Sequence, residues 1–417
     1  MKIVLVVLGG PGHIFPMLSL ANQLKMSEHE IVICSHLDGK EKIEAAGFNF
    51  YPLAEILAPK GYFNSMMMNN NTGIKAMFNG LNTMDKLRGS EIEDLTEFIS
   101  KGKPDILIID FLQTSGIAVA EKYEIPYFII SLSLPEGFDA NIPPIATSWQ
   151  YEQTNFSKVK NRIANYIFNK IFELASTTIN EYTKKNKLSK FKGITPGVRN
   201  SLAYITQVPS QFDLTQKLPE NVYYTGPFVN SLVRKNIFEF PWEKLNGKPI
   251  VYASLGTIAN NKPKIFKTIA SAFEGIEAQL IMSVGDLISQ QEIDAIPGKP
   301  LIVRFAPQLE ILDKAKLFIT HVGMNSTLES LRAGVPILAL PQTSDQPGIA
   351  ARVKHIGVGE FILSKDITVE SIRSTAKTIL SNPEYKQKAV EFSQLTSMQN
   401  GCQLAADIIE SKILLET

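Results

Sequence analysis

The chain of 417 residues is 44% hydrophobic and 20% charged, the balance of a globular protein with room for two domain cores. A net charge of +1 supplies no global field for nucleic acid. Two cysteines, Cys34 and Cys402, fit a reducing compartment and exclude a disulfide scaffold or a cysteine-ligated zinc.

The opening MKIVLVVLGG has an apolar run of only Ile3–Leu8, with one preceding lysine and no small-residue cleavage pattern. It reads as a buried first strand, not a signal peptide. No stretch approaches the roughly 20 apolar residues that span a bilayer, so a cytoplasmic location is expected. Strand Lys2–Leu8 precedes a helix predicted over Pro16–Lys25, with Met17, Leu18, Leu20, Ala21 and Leu24 on its apolar face. Strand Ile31–Ser35, helix Glu41–Ala46 and strand Phe48–Leu53 follow, and later strands Asp105–Ile109 and Tyr127–Leu132 flank helix Ser115–Tyr123. Short apolar strands alternating with helices predict a parallel sheet covered on both faces.

Two stretches break this rhythm. Pro59 to Arg88 contains Met66, Met67, Met68 and Met77, which suit either a tolerant pocket for a lipophilic ligand or a mobile surface loop over helical filler. Residues 157–199 are rich in Lys and Arg among Val159, Ile163, Tyr166, Ile167 and Ile171. That pattern is either a solvated helical face or a basic amphipathic surface with weak contact to an anionic membrane. A linker is expected over 229–247. The alternation then restarts with strand Pro249–Leu255, helix Ile265–Phe273 and strands Gln279–Val284, Leu301–Phe305, Leu317–Thr320 and Val335–Leu340. Three apolar helices, Ile367–Ser381, Tyr385–Gln394 and Gly401–Leu415, close the chain. The expected domains are 1–228, 248–395 and a terminal helix, 396–417, that crosses back to the first. The fold class is α/β: two facing doubly wound, Rossmann-like parallel sheets.

In open α/β sheets ligands bind beyond the carboxyl ends of the strands. Gly9-Gly10-Pro11-Gly12-His13 follows the first strand, and Asp110 ends another. Ser254, Gly256 and Thr257 close the first strand of the second half, while Phe305 to Gln308, His321 to Ser326 and Pro341 to Gln346 each follow a later one. Six clusters at one edge predict a site in an interdomain cleft. His321, Gly323, Asn325 and Ser326 directly precede a helical pattern, where free N–H groups and the helix dipole favour an anion.

These segments carry a resemblance. GGPGHIFP, SLGT at 254–257, FAPQ at 305–308, HVGMNSTLES at 321–330 and PQTSDQPGIAAR at 341–352 resemble the UDP-dependent glycosyltransferases of the GT-B fold, the family of plant secondary-product, macrolide and carotenoid glucosyltransferases. The match covers most of the second half and the opening of the first; residues from roughly 60 to 240 match by architecture alone. The resemblance implies inverting transfer of a sugar from a UDP-sugar donor, glucose by its Asp345-Gln346 pair, to a hydroxyl of a small lipophilic acceptor. No cofactor or metal is expected, and the chain is expected to act as a monomer or homodimer.

Inversion needs one base for the acceptor hydroxyl, with a pKa near the working pH. His13, at a helix N-terminus that favours the neutral ring, fits that role. Asp110 can accept from its other ring nitrogen and stabilise the imidazolium; Asp105 stands at the start of the strand and so lies at the wrong edge. A helix-capping His13 and an ordinary strand-end Asp110 are the plain alternatives. For the donor, Gly12, His321, Gly323, Asn325 and Ser326 are expected around the diphosphate, with Ser254, Gly256 and Thr257 as phosphate or sugar contacts. Phe305 and Ala306 are expected beside the uracil, Phe305 stacking where many relatives have tryptophan, with Gln308 on the uracil edge and Asp345 and Gln346 on the sugar. Glu329 has two readings: it holds the ribose, or it closes a capping box with Ser326. Met66, Met67 and Met77 are the acceptor-side candidates.

The chain has no Asp-x-Asp, no Walker motif, no Gly-x-Gly-x-x-Gly after the first strand and no histidines at metal-ligand spacing. Two alternatives stay open: another GT-B enzyme, such as a UDP-sugar 2-epimerase or an N-acetylglucosaminyltransferase, and a non-catalytic nucleotide-sugar binding protein.

Overall fold

Uninterrupted runs of Val, Ile and Leu can sit only where both faces of a strand are covered, and the architecture meets that demand twice. The computed structural model describes residues 1–67, 73–188, 197–229, 239–256, 262–397 and 400–416, which form two units. One comprises Met1–Pro144, Glu152–Arg234 and Gln399–Thr417; the other comprises Ile145–Tyr151 and Lys235–Met398.

The first unit holds β1 (Lys2–Val7), β2 (Glu30–Ser35), β3 (Asn49–Pro52), β4 (Ile106–Asp110), β5 (Tyr127–Ser131), β6 (Ala203–Thr206) and β7 (Val222–Tyr224) in the order β3-β2-β1-β4-β5-β6-β7. The second holds β8 (Ile250–Ser254), β9 (Gln279–Ser283), β10 (Leu301–Val303), β11 (Ala315–Thr320), β12 (Ile337–Ala339) and β13 (Gly359–Phe361) in the order β10-β9-β8-β11-β12-β13. The strand pairs in both are parallel: Val6 lies opposite Cys34 and Ile109, and Ser254 lies opposite Ser283 and Thr320. Each sheet reverses its strand order beside its first strand, between β1 and β4 and between β8 and β11. Those are the points where an open sheet leaves a crevice for ligand.

Alternation along β1 distributes the core. Ile3, Leu5 and Val7 pack with Met17, Leu20 and Leu24 of helix Pro11–Lys25 and with Ala405, Ile409 and Ile413 of the last helix, Gly401–Glu416. Val4 and Val6 pack on the other face with Ile92, Leu95 and Ile99 of helix Gly73–Lys101 and with Ile117 to Ala120 of helix Thr114–Lys122. In the second unit Val251 and Ala253 face one cluster and Ile250 and Tyr252 the other.

Several local expectations change. The first helix starts at Pro11, not Pro16: proline suits the first helical position because no N–H is left orphaned there. Pro16 therefore falls inside the helix, and His13 sits in its first turn. Over its described length the stretch from Pro59 to Arg88 is mostly helical, in Tyr62–Met67 and Gly73–Lys101. Part of the expected linker packs on the second sheet, where Phe240 is buried and Leu245 lies against the same cluster.

Helix Asn155–Ala175 is apolar on both faces, burying Ala164, Phe168 and Ala175 beside two asparagines. It starts at Thr154, whose side chain accepts from the Ser157 N–H at 3.1 Å. Its inward face carries Asn161 and Asn165, which donate to the carbonyls of Asn141 (2.6 Å) and Ile142 (2.9 Å). Its outward face carries Phe156, Val159, Ile163, Tyr166, Ile167 and Leu174, all exposed, with exposed Arg162 and Lys170 among them. The outer surface thus faces solvent and mixes apolar side chains with cations. No helix among the described residues is long and apolar enough to cross a membrane.

Candidate active site

The reversal point of the first sheet brings two loops together. β1 runs through Leu8 and Gly9 into the helix that carries His13, and the neighbouring β4 ends on Asp110. His13 Nδ1 lies 2.6 Å from Asp110 Oδ2. Asp110 is fully buried and His13 is 20% exposed by side chain, so one member is fixed and the other reaches the surface. Asp110 Oδ2 also accepts from the Leu8 N–H at 3.3 Å, and Oδ1 accepts from the Leu112 N–H at 3.1 Å. A carboxylate held by two N–H groups is an acceptor. Nδ1 of neutral His13 is therefore the protonated nitrogen, and Nε2 carries the lone pair. Phe111 stacks near the ring at 6.5 Å between centroids. Gly12 occupies the second position of the helix.

The second reversal point holds another histidine. His321 follows β11 and its ring fits between two glycines. A Cβ at Gly256 would meet the ring at 2.5 Å and one at Gly323 would meet it at 2.7 Å. Gly256 also has φ +80°, so the position suits glycine on both counts. Burial lowers the His321 pKa to about 4, against a hydrogen bond with the Ser254 backbone that raises it. The ring is neutral at pH 7. Gly323 caps helix Met324–Arg332, putting Asn325 and Ser326 in its first turn.

That cap decides one alternative. Ser326 is the third residue inside the helix, so it forms no capping box with Glu329. Glu329 is buried and instead accepts from Gln308 Nε2 at 2.6 Å; Gln308 Nε2 also lies 3.4 Å from Ser326 Oγ. The Tyr252 hydroxyl reaches Gln308 Oε1 at 3.4 Å. Gln308, Ser326 and Glu329 are thus one hydrogen-bonded group drawn from two helices, Gln308–Leu312 and Met324–Arg332. Phe305 and Ala306 precede it, half-buried, after β10.

Asp345 caps helix Gln346–His355 without a side-chain hydrogen bond to it. Gln346 folds back, its Oε1 accepting from the N–H groups of Gln342 (2.8 Å) and Thr343 (3.1 Å). Ser254 Oγ accepts from the Gly256 N–H at 3.4 Å, within its own turn. Thr257 lies outside the described residues, as do the side chains of Met66, Met67 and Met77. Among the described residues no three His, Cys, Asp or Glu side chains gather as a metal site.

Sequence reasoning missed Tyr252 and a buried polar group under the first loop: His36, Arg88, Glu91, Gln113 and Ser115. No motif joins them, because they come from a strand end, a long helix and a loop.

Residues 90–400 match the family described as UDP-glucoronosyl and UDP-glucosyl transferase, and residues 3–134 match the glycosyltransferase family 28 N-terminal domain. The NDP-glycosyltransferase YjiC of Bacillus subtilis (strain 168) is 27% identical over 403 residues, covering 96% of this chain and 94% of that relative. The zeaxanthin glucosyltransferase of Pantoea ananas is 25% identical over 402 residues, covering 95% and 93%. The crystal structure of the glycosyltransferase of kitacinnamycin superposes with a TM-score of 0.76 at 18% identity, covering 99% of this chain and 98% of that one. This last likeness is one of fold, and the fold is GT-B.

Proposed function

The chain belongs to the UDP-glucoronosyl and UDP-glucosyl transferase family and is a glycosyltransferase, and from that premise we propose that it moves glucose from UDP-glucose to a hydroxyl of a small lipophilic acceptor with inversion. The observation that carries this reading is the 2.6 Å contact between His13 and buried Asp110. His13 Nε2 takes the acceptor proton as the acceptor oxygen bonds to the anomeric carbon. The bond from that carbon to the diphosphate oxygen breaks, and UDP leaves with the electron pair. Asp110 stabilises the imidazolium as it forms, which raises the basicity of the ring when the charge is needed. One displacement inverts the anomeric centre.

Charge on the leaving diphosphate is met by the N-terminus of helix Met324–Arg332, through the N–H groups of Gly323, Asn325 and Ser326. His321 lines that site as a neutral ring whose one N–H is held by the Ser254 backbone; it does not act as a cation. Gln308 and Glu329 divide the uracil and ribose between them, and Phe305 stacks on the base. Asp345 and Gln346 bind the sugar. Gln346 spends its oxygen on its own loop, so its amide N–H groups face this task.

The name of one relative, a zeaxanthin glucosyltransferase, supports a lipophilic natural product as the acceptor class. We also infer weak contact of the apolar face of helix Asn155–Ala175 with an anionic membrane, since its exposed charged residues, Arg162 and Lys170, are cations. Glu173, ion-paired with Lys170 at 2.7 Å, offsets part of that charge.

The test is incubation with UDP-glucose and a panel of flavonoids, macrolides, carotenoids and sterols, read by UDP release and by proton NMR of the product. Acceptor-dependent UDP release and a β-linked glucoside are expected. UDP release without acceptor would favour an epimerase or hydrolase, and an α-linked product would remove the single displacement.

A further inference from the structure

Beneath the two loops that carry His13 and Asp110 lies a group of ionisable side chains that the transfer chemistry does not use. His36 follows β2, Arg88 and Glu91 lie three residues apart on helix Gly73–Lys101, and Gln113 and Ser115 follow β4. All five are buried. Glu91 Oε1 lies 2.9 Å from His36 Nε2, and its Oε2 accepts from Arg88 Nη1 (2.8 Å) and Ser115 Oγ (2.7 Å). Burial alone would raise the Glu91 pKa, but the Arg88 charge and the hydrogen bonds from His36 and Ser115 outweigh it and bring it to about 2. Glu91 is an anion, so His36 donates from Nε2 and accepts at Nδ1.

What His36 accepts is the N–H of Gly9, at 3.2 Å, in the turn that leads to His13. The approach is close: a Cβ on Gly9 would stand 2.8 Å from the His36 Cβ. On the other side Arg88 forks, donating Nη1 to Gln113 Oε1 at 3.0 Å and Nη2 to the Leu112 carbonyl. Leu112 donates its own N–H to Asp110, and the Gln113 N–H bonds the Asp110 carbonyl at 2.7 Å. One chain of hydrogen bonds therefore runs from the His13 loop through His36, Glu91 and Arg88 to the Asp110 loop.

Buried ion pairs are weak contributors to stability, because desolvation offsets most of the attraction and apolar residues of equal volume would serve as well. A role in geometry accounts for this one. We propose that His36, Glu91 and Arg88 are positioning residues that hold the loops of His13 and Asp110 in register for proton transfer, an inference that rests on His13 being the base. A hydrogen bond misplaced by about 1 Å costs on the order of 100-fold in rate.

The experiment compares the full chain with Glu91→Gln and Arg88→Lys, with His13→Ala as control. Turnover at saturating acceptor, UDP affinity, the pH profile of kcat/KM and amide hydrogen exchange are measured well below the melting temperature. Glu91→Gln is expected to lower kcat at least 10-fold with UDP affinity within twofold, because most of the donor groups, Gln308, Ser326 and Glu329 among them, lie on the second unit. Its acid limb should move to lower pH, since a displaced Asp110 no longer stabilises the imidazolium, and the amides of Gly9 and Leu112 should exchange at least 10-fold faster. Arg88→Lys keeps the charge but loses the fork, and carries the same expectation if Glu91→Gln does not fold. A folded variant with kcat within twofold and an unmoved acid limb overturns the proposal, whatever its melting temperature. Should His13→Ala keep its turnover, the base assignment fails instead. Unchanged exchange at Gly9 and Leu112 would then overturn the positioning of the loops on its own.

Discussion

At the scale of single residues, position at a strand end was the most informative sequence signal. Asp110 could be preferred to Asp105 because only Asp110 stands at the carboxyl end of the strand, and it lies 2.6 Å from His13. The partnership of Gln308 with Glu329 was not legible, since a capping pattern and a ligand-binding pattern look alike until the helix start is known. His321 shows what the environment adds. Its pKa of about 4 in the folded chain compares with 6.5 for an ordinary imidazole. Between those values the unfolded chain binds the extra proton, so the stabilisation from the neutral ring is complete above about pH 6.5 and is lost as the pH falls toward 4. The shift is worth on the order of 3 kcal/mol. Glu91 acts lower: its stabilisation is present above its ordinary 4.5 and is lost toward pH 2. Urea unfolding between pH 7 and 4.5 should show a declining midpoint that His321→Asn flattens. An equal decline in the variant would mean that another group titrates there.

At the scale of elements, the strands of both sheet centres were readable because parallel strands buried on both faces are uniformly apolar. The three-residue β7 and β13 offered too little pattern, and the four-residue β6 sits in a region of mixed polarity. The helix start at Pro11 was misplaced by reading Pro16 as the opening proline when Pro11 holds that position. Helix Asn155–Ala175 marks a deeper limit. Its periodicity was visible, but a helix with apolar residues on both faces does not say which face turns inward. Here the asparagines do, because they satisfy the carbonyls of Asn141 and Ile142. The double substitution Phe156→Ser and Ile163→Ser should reduce co-sedimentation with phosphatidylglycerol vesicles at low salt at least fivefold. It should leave the melting temperature within about 2 °C, as both side chains are exposed. Binding that persists in the variant, or that is absent in the wild type, would exclude this face as the contact; concentration-dependent self-association would assign it to a second copy.

At the scale of the whole molecule, the chain builds the same reversed parallel sheet twice and gives each one a histidine at its reversal point. The two differ in chemistry. His13 shares a hydrogen bond with a buried carboxylate and keeps a basic nitrogen, whereas His321 is enclosed, neutral and backed by a helix N-terminus. Under the proposed reaction one suits proton removal and the other a leaving diphosphate, one half of the chemistry to each unit. The most direct measurement is therefore His13→Ala, assayed in parallel for transfer from UDP-glucose and for UDP binding by calorimetry. Loss of transfer by at least about 100-fold, with UDP affinity within twofold of wild type, is the predicted result. Turnover retained at the wild-type rate, or transfer and UDP binding lost together, would contradict it.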